Sequence, residues 1–191
     1  MDWQTHQFSR IEEGKGELLL EGSKVAVICA GPFANRAVEA AQKLKEESGW
    51  NPSIYNIRYI KPIDEKLLAE VASNNEYVIT VEDGTLLGGL YGAVAEYMCA
   101  KENAPVVKAV GIPDRYISQG TQNDLREECG LTTEALYATF CEFFEKMFKK
   151  NLKSFAELKN MSTFAIPYDS NCSQTGNNIA DVAQLARARD L

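Results

Sequence analysis

Histidine is nearly missing from this chain: His6 is the only one in 191 residues. A Ser-His-Asp triad or an imidazole-based metal site therefore cannot be assembled. No serine occupies a G-x-S-x-G elbow, and no G-K-[ST] follows a glycine loop, which excludes a P-loop. The five cysteines, at 29, 99, 129, 141 and 172, include no C-x-x-C pair. Cys29 lies in an apolar run and reads as a small hydrophobe. Their odd number and the lack of a signal peptide give a reducing cytoplasm as the expected location. Apolar runs fall far short of the roughly 20 residues that a membrane helix needs.

Basic residues are also in deficit. Twenty Lys and Arg face 27 Asp and Glu, a net charge of −7. Residues 151–191 are balanced, with Lys153, Lys159, Arg187 and Arg189 against Glu157, Asp169, Asp181 and Asp190, so the whole excess belongs to residues 1–150. Such a surface repels phosphates, and neither nucleic acid nor an anionic membrane is an expected partner.

What the chain does have is alternation of strand and helix signals. Residues 1–14 are polar and irregular, with Trp3 and Phe8 as the large anchors, and read as an arm or linker remnant. Glu17–Leu20 is a short extended segment. Lys24–Ala30 (KVAVICA) is a continuous apolar and β-branched run, the pattern of a strand buried on both faces. Apolar residues at 37, 38, 41 and 44 then predict a helix over 35–47. Ser53–Tyr59 predicts a strand, and Asp64 is placed to cap a helix over 65–72. Tyr77–Val81 is the next buried strand. The glycine-rich segment GTLLGGLYG (84–92) leads into a helix reaching about Lys101. Pro105–Gly111 is a further strand, Thr121–Glu128 a short helix ended by Gly130, and Thr132–Lys150 a longer helix with Leu136, Phe140, Phe143, Phe144 and Met147 on one face.

This order predicts an α/β fold over residues 15–150: three layers, a mostly parallel sheet with helices on both faces. Residues 151–191 follow a different pattern. They are rich in Ser, Thr, Asn and Gly, and DVAQLARARDL (181–191) resembles the translation of a transfer-RNA gene. A disordered or read-through tail is expected there.

Few residues carry chemistry. Glu12-Glu13, Glu46-Glu47 and Glu127-Glu128 are adjacent in sequence, which points their carboxylates apart on a helix. Gly84, Gly88 and Gly89 stand before a helix whose amino terminus could hold an anion, although the spacing is not G-x-G-x-x-G. The simpler reading is that Gly88, Gly89 and Gly92 let the helix approach the sheet. Arg58 and Lys61 follow a strand, and Arg115 lies in another strand-end loop. Carboxyl ends of strands in open α/β sheets are where ligands and neighbouring domains dock, so these three are candidate contacts. The alternative is an ordinary surface ion pair worth ~0–1 kcal/mol.

Four segments carry a resemblance: IEEGKGELLLEGSKVAVICAGP (11–32), IRYIKPIDEKLL (57–68), VITVEDGTLLGGLYGAVAEYM (78–98) and VGIPDRYISQGTQNDLREECGLTTEAL (110–136). In order and spacing they resemble the carboxyl-terminal domain of 1-deoxy-D-xylulose-5-phosphate synthases, thiamine-diphosphate enzymes of the transketolase group. The first and third are similar to transketolases and to 2-oxoacid dehydrogenase beta subunits as well; the fourth discriminates for the synthase. The resemblance implies a parent enzyme that condenses pyruvate with glyceraldehyde 3-phosphate, with thiamine diphosphate and Mg²⁺ supplying the carbanion chemistry.

In that family the cofactor site lies in the amino-terminal and middle domains, which are the implied partners, in a homodimer. Glu82-Asp83-Gly84 is similar to the G-D-G that opens the family's metal and diphosphate motif, but Glu stands for the first Gly and the paired asparagines are missing. A structural turn is expected, with no cofactor bound by this chain and no catalysis by it alone. Two other readings stand beside this one. One is a carboxyl-terminal subunit or domain of another transketolase-like or dehydrogenase beta-type enzyme. The other is a non-enzymatic anion or nucleotide-binding module that uses the helix start at Gly84–Gly92.

Overall fold

In Lys24–Cys29 (β2) every residue after Lys24 is apolar and fully buried, which places this strand in the middle of the sheet. The structure, a computed structural model, describes residues 10–159. Residues 1–9 of the expected arm and 160–191 of the tail expected over 151–191 lie outside the described residues, while 151–159 are helical rather than disordered.

Around β2 the strands Glu17–Leu20 (β1), Ser53–Asn56 (β3), Asn75–Thr85 (β4) and Val106–Ile112 (β5) form one sheet of order β1-β3-β2-β4-β5. The pairs β2–β3, β2–β4 and β4–β5 are parallel, and only β1 runs antiparallel, on β3. The mostly parallel sheet expected from the sequence is therefore present. The helices are Phe33–Ser48 (α1), Glu65–Asn74 (α2), Leu90–Cys99 (α3), Gln122–Glu128 (α4) and Thr133–Lys159 (α5).

Successive residues of a strand point to opposite faces, and that period divides the core in two. On one face Val25, Val27, Cys29, Ile79 and Val81 meet Leu44 of α1 and Leu136 and Phe140 of α5. On the other, Ala26, Ile28 and Val78 meet Leu68 and Val71 of α2 and Leu90, Val94 and Met98 of α3. Each fully buried Leu, Ile or Phe contributes about 1.5–3 kcal/mol, so both layers are needed. Aromatic pairs fasten α5: Phe144 lies 5.4 Å from Trp50 and Phe143 lies 5.3 Å from Tyr77, between ring centres.

Several boundaries differ from expectation. β3 stops at Asn56 rather than Tyr59, because Arg58 takes a left-handed backbone (φ 56°) and its amide donates to the Asn56 side-chain oxygen at 3.2 Å. That local bond competes with the sheet ladder. β4 runs on to Thr85, since the Leu86 amide still bonds to the Ile112 carbonyl at 3.0 Å across the β4–β5 edge. Helix α5 starts after Thr132, whose hydroxyl accepts from the Ala135 amide, and continues to Lys159 across the expected end at Lys150. No described helix is long and apolar enough to cross a membrane.

Candidate functional site

Parallel strands β2 to β5 deliver all the candidate residues to one end of the sheet. Arg58 and Lys61 lie in the loop after β3, Glu82 to Gly89 at the end of β4 and in its loop, and Arg115 in the loop after β5. β1 is antiparallel and opens at this same end, with Glu17 opposite Asn56, the last residue of β3. The carboxyl edge thus brings together the start of one strand and the ends of its parallel neighbours.

Glu82 has an internal role here. Its carboxylate is buried and accepts from the Leu90 amide at 2.8 Å and the Tyr91 amide at 2.9 Å. Both are free amides of the first turn of α3, so the helix start is already neutralised by an anion of the chain. Three glycines make room for it. A β-carbon on Gly89 would lie 2.1 Å from a Glu82 oxygen and 2.5 Å from the Thr85 carbonyl, one on Gly111 3.0 Å from Glu82 Cγ, and one on Gly84 3.2 Å from the carboxylate. Gly88 and Gly92 have open space where a β-carbon would go, and Gly88 instead supplies a positive φ of 80°. Close approach therefore concerns Gly89, not all three glycines expected from the sequence.

An external anion at this helix start would have to displace the Glu82 carboxylate, which removes the physical basis for the anion-binding module. The same geometry bears on thiamine diphosphate with Mg²⁺. The glutamate of the G-D-G-like turn spends both oxygens on helix amides, and no three carboxylate, cysteine or histidine side chains among the described residues converge as a metal site. These residues do not fit the cofactor. Asp83 and Gly84 are turn positions beside it.

Two of the three basic candidates are paired within the chain. Arg58 ion-pairs with Glu17 across β3 and β1, and Arg115 pairs with Glu128 of α4 at 2.7 Å. Lys61 is exposed. Asp64, three residues on, has a larger structural role than a cap alone. It is buried and accepts from the Leu67 amide at 3.2 Å and the Gly16 amide at 3.2 Å, with the Lys15 ammonium at 3.5 Å. Burial pushes its carboxyl up, but the two amides and Lys15 outweigh that and hold it below the usual aspartate range.

Among the described residues no thiol is shifted toward the thiolate. Burial pushes the Cys29 thiol far up, and burial with the Glu128 charge raises Cys129. Thiols held protonated are poor nucleophiles. Between the ends of β4 and β5 and helix α4 lies a cavity of about 250 Å³, bordered by Asp83, Ile112, Ile117, Leu125, Cys129 and Leu131. Its apolar lining suits packing rather than acid–base work. Sequence reasoning missed Glu82 as the capping anion and Asp64 as the tie to residues 15 and 16. A carboxylate closing a strand, eight residues before a helix-starting Gly-Leu, is the signal that marks the first.

Residues 14–136 match the family model described as transketolase, carboxyl-terminal domain. The 1-deoxy-D-xylulose-5-phosphate synthase of Bacteroides thetaiotaomicron is 38% identical over 152 residues, which is 78% of this chain and 23% of that protein. The enzyme of the same name from Caldanaerobacter subterraneus is 36% identical over 134 residues, 70% of this chain and 21% of that protein. A solved structure described as a split-gene transketolase, inactive beta4 tetramer, superposes with a TM-score of 0.64 at 34% identity, covering 70% of this chain and 43% of that one. Transketolase from Campylobacter jejuni, at TM-score 0.50 and 18% identity over 71% of this chain and 19% of that one, shares the fold. The chain spans about a fifth of the length of the curated synthases it matches, 23% and 21% in the two cases given.

Proposed function

Because this chain belongs to the transketolase carboxyl-terminal domain family, we propose that it serves as the carboxyl-terminal domain of a 1-deoxy-D-xylulose-5-phosphate synthase. The parent reaction joins pyruvate to glyceraldehyde 3-phosphate with loss of CO₂, giving a precursor of isoprenoids, thiamine and pyridoxal. The observation that carries this reading is the 38% identity over 152 residues to the Bacteroides thetaiotaomicron synthase, which includes the GIPDRYISQGTQNDL segment. Matched relatives of that name favour the synthase over a dehydrogenase beta subunit. The occupied start of α3 disfavours a free-standing anion-binding module.

In this role the chain does no bond-making. Thiamine diphosphate and Mg²⁺ are held by the amino-terminal and middle domains of the parent, in a homodimer, and this domain, residues 15–150, stabilises that assembly. Arg58, Lys61 and Arg115 are the polar contacts offered to the neighbouring domains. Such inter-domain surfaces bury roughly 600–1,500 Å² and tolerate polar groups.

The test has two parts. The isolated chain, given pyruvate, glyceraldehyde 3-phosphate, Mg²⁺ and thiamine diphosphate, is expected to form no deoxyxylulose phosphate. A chimaera in which residues 10–150 replace the matching region of the Bacteroides thetaiotaomicron synthase is expected to form it. Product from the isolated chain, or a folded chimaera without activity, overturns the reading.

A further inference from the structure

Seven large apolar side chains are exposed among the described residues, and four of them sit at one end of the sheet. Leu87 (63% exposed) is in the loop after β4, Tyr116 (101%) in the loop after β5, Ile60 (41%) in the loop after β3, and Ile11 (55%) just ahead of β1. Scattered apolar residues need no explanation, but a set gathered on one edge does. The two loops that carry Leu87 and Tyr116 are neighbours, joined by the Leu86 amide to Ile112 carbonyl bond at 3.0 Å, and the apolar cavity of about 250 Å³ opens beside them. Of the other three, Leu18 and Leu19 lie on the edge strand β1 and Val106 at the opposite end of the sheet.

The direction of β1 decides what covers this edge. A parallel first strand would bring the preceding chain to the amino edge. β1 is antiparallel, so Glu17 starts opposite Asn56 and the polypeptide ahead of it arrives at the carboxyl edge. That arrival is held firmly. The Gly16 amide and the Lys15 ammonium both bond Asp64, and a β-carbon on Gly14 would touch Pro62 at 3.2 Å. In the matched synthases most of the protein lies outside this region, since the chain covers 23% of the Bacteroides thetaiotaomicron enzyme.

We infer that the carboxyl edge of the sheet, anchored by Leu87 and Tyr116 with Ile60 and Ile11, is the surface that docks on the preceding domain of the synthase polypeptide. The inference rests on the proposed synthase role and adds the face and its anchors. An aromatic anchor such as Tyr116 beside a pocket is a usual carrier of binding energy, with Leu87, Ile60 and Ile11 excluding water around it and rim charges such as Arg58 and Arg115 contributing register. Glu82 acts at one remove: by fixing the start of α3 it fixes the loop that presents Leu87.

Amide hydrogen exchange on the full chain and on the Bacteroides thetaiotaomicron chimaera tests this. Docking is expected to slow exchange in 83–89 and 113–118 by roughly thirtyfold or more in the chimaera, a change that corresponds to a hot-spot contact. Leu87→Asp with Tyr116→Asp should abolish that slowing, while Val106→Asp at the amino edge should leave it. Both variants keep the fold of the isolated chain, read from its melting temperature, because the side chains are exposed. Slowing at 72–77 and 103–106 instead, or an active chimaera with no slowing at either edge, overturns the face while leaving the synthase reading intact. An inactive chimaera with no slowing anywhere overturns both.

Discussion

The Glu82 carboxylate occupies the space that a β-carbon on Gly89 would need, with one oxygen 2.1 Å from that position. The same carboxylate closes the first turn of α3 through Leu90 and Tyr91. One glycine and one buried acid therefore define how β4 passes into the helix. The glycine-rich loop acquires its meaning from the acid it accommodates, not from a phosphate.

Gly89→Ala is expected to destabilise the chain by about 2–3 kcal/mol, since the carboxylate cannot retreat without breaking its bonds to the Leu90 and Tyr91 amides and the Thr85 carbonyl in the way is backbone. Glu82→Ala should cost a similar ~2–3 kcal/mol by leaving two helix amides unpaired in a buried site. Gly92→Ala, with open space around it and a helical position, should be neutral or stabilising by up to ~1 kcal/mol. Urea unfolding of the three variants separates these outcomes.

Asp64 gives the chain an acid-sensitive tie. Its carboxyl is held below the usual value in the folded state, so its contribution is present above about pH 4, the unfolded aspartate value, and is lost as pH falls through the folded one. Asp64→Asn should cost about 1 kcal/mol at pH 7 and progressively less below pH 4. Denaturant midpoints measured across pH 2–7 check the convergence. Glu142, drawn down to about 2 by the ammonium groups of Lys108 and Lys146, titrates in the same acid limb. Its pairs are exposed, so Glu142→Gln should shift stability by ~1 kcal/mol or less.

Thr80 is fully buried in the centre of β4, and its hydroxyl has no hydrogen-bond partner among the described residues. Thr80→Val keeps the β-branched shape and removes the uncompensated polar atom. Stabilisation of up to ~1 kcal/mol is expected, and a loss in a thermal melt would show that the hydroxyl has a use.

Arg58→Ala and Arg115→Ala should each change the stability of the isolated chain by under ~1 kcal/mol, because their pairs with Glu17 and Glu128 are surface pairs. In the synthase chimaera the same substitutions should lower the melting temperature or activity more than in the isolated chain. Equal effects in both contexts would remove these residues from the docking surface.

The strand and helix order was legible because burial imposes a short-range pattern. Val25 to Cys29 are apolar without interruption, as a strand covered on both faces must be, and Phe140 and Phe143 follow the helical period. Asp64 as a cap was legible for the same reason, since capping acts within three residues. The early end of β3 at Arg58 and the capping role of Glu82 were not legible, for the opposite reason. The left-handed turn at Arg58 and the eight-residue reach from Glu82 to Leu90 depend on neighbours that no local pattern encodes.

By itself, then, the sequence determined the α/β alternation, the net negative charge and, through its motifs, the family. The alternation follows from periods of two and 3.6 residues and the charge from composition, whereas the family rests on the motifs. Only the tertiary structure decided that β1 runs antiparallel, that the helix start is filled by Glu82, and that Ile11, Ile60, Leu87 and Tyr116 share one edge. Those facts join residues far apart in the chain, and strand direction and long-range packing are fixed only when the whole sheet is assembled.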